Sequence, residues 1–168
     1  MIARFPIRSI FLALAVRSVV PAIAAEQVPS CDLFRTRLVE APKVLSLRLP
    51  SLQLHREPPD HQDDVWKTDG MRAEDSGELW YTTGVYCRAG KFREVSTDID
   101  VPSGPLHPTF DLVAADIYSF TGWEADKVIR TADELLKHRP HAMGDIQTTE
   151  FSGAYVHIEY MGFTIGFD

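Results

Sequence analysis

The sequence predicts an α+β domain: an antiparallel sheet of about five to six strands with a helix pair packed on one face. Three observations carry this. Residues 79–87 alternate, with Leu79, Tyr81, Thr83, Val85 and Cys87 on one face and Trp80, Thr82, Gly84 and Tyr86 on the other. Two adjacent stretches between 109 and 138 place apolar residues at helical spacing. The chain then returns to alternation near its C-terminus. Strands, helices and strands are therefore segregated along the chain.

Taken in order, residues 31–39 read as a short helix, with Leu33, Phe34 and Leu38 on one face and Pro42 ending it. Leu45, Leu47 and Leu49 then alternate with Ser46 and Arg48. Pro50 interrupts, which suggests an edge strand or a bulge. Residues 55–78 turn polar, with Pro58, Pro59, Asp60, Asp63, Asp64, Asp69, Glu74 and Asp75. They read as one long exposed acidic loop, anchored by Val65 and Trp66 alone. Loops of this length are uncommon in compact domains and are often functional.

The 79–87 strand leads into Arg88-Ala89-Gly90-Lys91, a turn, and 92–101 returns as the second arm of a hairpin. Residues 102–108 connect. The first helix carries Phe110, Val113, Ala114, Ile117 and Thr121, with Thr109 as N-cap and Gly122 at its far end. The second covers 123–138 with Ala125, Val128, Ile129, Ala132, Leu135 and Leu136 as its stripe. Pro140 stops it. Residues 146–151, a Ser152-Gly153 turn, alternating Val156, Ile158 and Tyr160, a Met161-Gly162 turn and residues 163–167 complete the strands.

The N-terminus carries Arg4 and Arg8, an apolar run over 10–16, and Ala22-Ile23-Ala24. This is the pattern of a cleavable export signal over residues 1–24. Residues 25–168 are then one globular domain, a size that needs no metal or dense disulfide framework to bury a core. Arg17 interrupts the apolar run, which is far short of the ~20 residues a membrane span requires. The expected location is outside the cytoplasm, in the periplasm or secreted.

The whole chain has a net charge of −7, from 17 bases and 24 acids. Removing Arg4, Arg8 and Arg17 with the signal leaves the mature chain at 14 − 24 = −10. Such a surface repels phosphate backbones, so nucleic acid is excluded as a partner. A basic protein or a neutral small ligand suits it better. In an exported chain the only two cysteines, Cys31 and Cys87, read as one disulfide, because neither a Cys-x-x-Cys pair nor neighbouring metal ligands are present.

Motifs for chemistry are sparse. From Asp60 the acidic segment puts Gln62 and Val65 where a calcium loop needs a ligand and a glycine. No Gly-x-Ser-x-Gly, dinucleotide fingerprint or phosphate-binding loop occurs. His157 and Glu159 share a strand face but lack a third metal ligand in sequence. His138 and His141 flank Pro140 and suit helix capping. No cofactor or metal site is expected. The aromatics Trp80, Tyr86 and Phe92 fall on the sheet face opposite the assigned core. They are core if the helix pair covers that face, and a partner patch if it is open.

These readings point to a small exported, non-enzymatic binding protein, an inhibitor or immunity-type partner of another envelope protein. The alternatives are a hydrolase of envelope or extracellular polymer, using His157 and Glu159, and a structural envelope component.

Overall fold

Two hairpins of like construction dominate the sheet. In the first, β4 (Leu79–Arg88) and β5 (Lys91–Ile99) are joined by Ala89 and Gly90, both at positive φ (50° and 76°). In the second, β6 (Ile146–Phe151) and β7 (Ala154–Glu159) are joined by Ser152 and Gly153 at 50° and 78°. Two consecutive positive-φ residues match the right-handed twist of the flanking strands, and glycine in the second place lowers the strain. β8 (Gly162–Gly166) pairs with both β7 and β5, and so welds the hairpins into one sheet. On the other side, β2 (Asp64–Thr68) pairs with β4, β1 (Leu54–Arg56) pairs with β2, and the two-residue β3 (Met71–Arg72) also pairs with β4. Seven strands run in the order β1-β2-β4-β5-β8-β7-β6, all antiparallel, with β3 off that path. The computed structural model describes residues 28–49, 52–68, 71–72, 79–99, 107–142 and 144–167. The export-signal segment lies outside them.

Helices α1 (Cys31–Val44), α2 (His107–Thr121) and α3 (Ala125–Leu136) pack on one face. α2 lies between the other two and is buried almost all round: Leu112, Val113, Ala114, Ala115 and Ile117 are all inaccessible. α1 contributes Phe34, Leu38 and Ala41, and α3 contributes Val128 and Ala132. From the sheet come Tyr81, Val85, Cys87, Val95, Val156, Ile158, Phe163 and Ile165. These are the inward residues the alternation assigns on β4 and β7. Each aliphatic side chain buried this way contributes roughly 1.5–3 kcal/mol. The disulfide joins Cys31, in the first turn of α1, to Cys87 near the end of β4, with Cα atoms 5.9 Å apart.

Beyond a strand count above the expected five to six, and an α2 that begins at His107 so that Thr109 lies inside the helix and is not its N-cap, the structure corrects the sequence in four places. α1 does not end before Pro42 but runs through it to Val44. Proline forfeits one backbone bond. Here, however, Leu38, Ala41 and Leu45 continue one buried face, and the Leu45 and Leu47 amides close the helix on the Ala41 and Pro42 carbonyls. Second, the Leu45, Leu47 and Leu49 alternation is no strand. Leu45 caps α1 and Ser46 has a positive φ of 54°. Leu45, Leu49 and Leu52 still reach the core, from irregular chain.

Third, 55–78 is not one exposed acidic loop. It contains the end of β1, all of β2, and β3. Val65 and Thr68 are only 3% exposed, and the Asp60–Asp63 pair closes a tight hairpin. The strand was hidden because its outer residues are charged and tied by ion pairs. Arg88 grips Asp63 with two bonds (2.7 and 3.1 Å), and Arg56 bonds Asp64. Fourth, Phe92 is not on the face opposite the core. The register shifts by one between Tyr86 and Cys87, so that Phe92 pairs with Cys87 while Tyr86 pairs with Glu94. A bulge of this kind flips side-chain parity. Phe92 is 2% exposed and stacks on Phe34, with centroids 4.2 Å apart.

Candidate site on the open face of the sheet

Among the described residues no helix lies on the second face of the sheet. β4 presents Thr82, Gly84 and Tyr86 there, β5 presents Glu94, Ser96 and Asp98, β8 presents Gly162, Thr164 and Gly166, and β7 presents Tyr155, His157 and Glu159. The ladder sets them in rows. One row reads Tyr86, Glu94, Gly166, Tyr155 and the next reads Gly84, Ser96, Thr164, His157. Ser96, Thr164 and the glycines thus keep the middle of the face low, Glu94 stands between the two tyrosines, and buried Val65 of β2 lies beyond Tyr86.

Both tyrosines lie on glycine. The Tyr155 hydroxyl donates to Glu94 at 2.6 Å, although Glu94 is two strands away, beyond Gly166. Strands are about 4.8 Å apart, so the ring must lie along the sheet over Gly166 to reach. A Cβ at Gly166 would stand 2.6 Å from Tyr155 Cζ, which leaves room for glycine alone. Tyr86 covers Gly84 in the same manner: a Cβ there would stand 3.2 Å from Tyr86 Cε2. His157 stacks beside Tyr155 with centroids 4.8 Å apart and an interplanar angle of 30°. Thr164 and Ser96 hydroxyls approach at 3.4 Å.

The face is electronegative around Tyr86. Burial raises the Tyr86 pKa first, and the carboxylates of Glu94, Asp98 and Asp60 raise it further. The three carboxylates disfavour a further negative charge there and favour a cation brought from outside, whereas burial alone penalises charge of either sign.

Of the residues singled out in sequence, Tyr86 is half-buried on this face, Phe92 is in the core, and the Trp80 side chain lies outside the described residues. His157 and Glu159 do share the face. Among the described residues no group of three His, Cys, Asp or Glu is placed to hold a metal ion. His55 stands on the edge strand β1, where its Nε2 lies 2.8 Å from Glu57. The Tyr155–Glu94 bond escaped sequence reasoning because its partners are 61 residues apart. The glycines were the available signal, since Gly84 and Gly166 interrupt otherwise regular strands.

A second polar group lies beneath the sheet, in the core. Asp116 on α2 is fully buried. It accepts a hydrogen bond at 3.1 Å from the Thr97 hydroxyl, which lies 3.0 Å from that of Thr83. The Thr83 amide in turn donates to the Thr68 hydroxyl at 3.0 Å. Asp116 Oδ1 has no partner among the described residues. Burial pushes the Asp116 carboxyl up to about 8, against the smaller opposing effect of the Thr97 bond.

Among the described residues, then, the chain is a helix-backed antiparallel sheet with one face that carries no helix, and on that face two tyrosines lie over glycines. The chain matches no family model, no curated protein and no solved structure.

Proposed function

We propose that this is a small exported, non-enzymatic binding protein that takes a basic protein partner on the open sheet face. Its role is that of an inhibitor or immunity-type partner of another envelope protein. The observation that carries the reading is the pairing of Tyr86 and Tyr155, laid flat on glycines, with Glu94 and Asp98 beside them. Rigid tyrosines supply contact area at little entropic cost and are enriched among residues that dominate binding energy. The acids, within a chain of net charge −7, select a cationic surface and speed its approach. The disulfide and the N-terminal pattern support export. Among the described residues no helix is long and apolar enough to cross a membrane.

The test uses the purified protein as bait in envelope and culture-medium extracts. One basic protein should be retained in stoichiometric amount at low salt and released as salt rises. Tyr86→Ala and Asp98→Asn should each weaken the isolated complex, the tyrosine change by roughly tenfold or more. Both variants should keep the parent melting temperature to within a few degrees. An empty bait, or a complex indifferent to both changes, refutes the reading.

A further inference from the structure

A separate pocket of about 300 Å³ lies between the start of α1 and the end of α2. That volume is at the lower end for small-ligand sites, roughly 300–1,000 Å³. Its walls combine two features that a purely structural crevice does not need. The first is a cation. Arg37 is half-buried in the wall, and no described residue gives it an ion pair or a hydrogen bond. Its guanidinium lies against Gly122, just past the end of α2, where a Cβ would stand 2.6 Å from Cζ. Glycine at this position, with φ of 66°, therefore gives the arginine its place. The carbonyl end of α2 offsets part of the cost of desolvating the charge, but supplies no counter-ion.

The second feature is an apolar rim. Val28 and Leu33 are 42% and 43% exposed, and they are two of the five large hydrophobic side chains left exposed among the described residues. Both line this pocket, as does buried Phe120. Leu33 and Arg37 are four apart on α1 and so project from one side of the helix. An unpaired guanidinium beside an apolar rim is complementary to one ligand chemistry. We propose that this pocket binds a small amphiphilic carboxylate, with Arg37 as its counter-ion and Val28, Leu33 and Phe120 against its hydrocarbon chain. A planar carboxylate matches the two-pronged arginine donor set. An inorganic anion would leave the apolar rim in water. A neutral chain would leave Arg37 without a counter-charge.

Octanoate is the probe, followed by two-dimensional amide NMR on the purified protein at neutral pH. Saturable shifts should centre on Leu33, Arg37 and Thr121, and 1-octanol, the same chain without the charge, should bind about tenfold more weakly or worse. Arg37→Gln should weaken octanoate roughly ten- to a hundredfold and leave octanol unchanged, since a charge-assisted bond is lost. Leu33→Glu, at an exposed position that tolerates a charge, provides a variant with no threat to folding. It should also abolish octanoate binding, by repulsion. Octanol binding as tightly as octanoate, shifts scattered over the surface, or affinity unaltered in both variants each overturns the proposal. None of these results bears on the open sheet face, where Tyr86 lies.

Discussion

Asp116 sets an unusual pH dependence for a single residue. Its carboxyl titrates near 8 in the folded chain, because burial penalises the charge, against 3.8 as the ordinary value. A raised pKa means that the folded state holds its proton longer than the unfolded state. Between about pH 4 and pH 8 the unfolded chain loses that proton first, so folding stability falls as pH rises and levels off above the folded pKa. Asp116→Asn removes the titration. The variant and the parent should melt alike near pH 4 and diverge upward, until at pH 8 the variant is more stable by a few kcal/mol. Parallel pH profiles for the two proteins would contradict the assignment. Phe92 and Tyr86 provide a second residue-scale contrast, since the bulge between them sends neighbouring aromatics to opposite sides of the sheet. Phe92→Ala should cost about 3–5 kcal/mol in urea unfolding, because it opens a cavity against Phe34. Tyr86→Ala should cost roughly 1 kcal/mol or less, its ring covering a glycine rather than filling the core.

The elements differ in how they are secured. α2 needs no staple, as it is enclosed by α1, α3 and the sheet. α1 is held by one apolar stripe, by stacking of Arg35 on Trp66 at 3.6 Å, and by the disulfide at its first turn. The bridge closes a loop with a sequence separation of 56. Such a link stabilises by about 4 kcal/mol in the chain-entropy account. Replacing both cysteines with serine should lower unfolding stability by roughly 2–4 kcal/mol. Amide exchange should accelerate most in α1 and in the Ala89-Gly90 turn, whose Gly90 carbonyl accepts the Cys31 amide. Uniform acceleration over all three helices would show that α1 does not open separately. At this scale the sequence was most legible where turns carry their own signal. Both glycine-second turns and the three C-terminal strands fall where the alternation puts them. It was least legible over 55–78. There β2 fully buries only Val65 and Thr68, Trp66 packs half-buried under Arg35, and Asp64 and Lys67 are charged, so composition alone reads as loop.

At the scale of the whole molecule, local pattern sufficed for class and pairing chemistry. Alternation on β4 and β7, helical spacing on α2 and α3, and two cysteines in a chain with an export pattern determined the α+β class, the helix-backed sheet and the Cys31–Cys87 bond. These rest on interactions within a few residues, or on there being one way to pair two thiols. What covers each sheet face could not be read in this way. Either face of the alternating strand could have received the helices. The choice was made by which face offered enough apolar surface from all strands together. The Tyr155–Glu94 bond, the polar ladder to Asp116 and the Arg37 pocket each join residues that meet only after the sheet and helices assemble. The one-residue bulge that sends Phe92 inward has the same origin: its register is fixed by packing against Phe34, a partner far away in the chain.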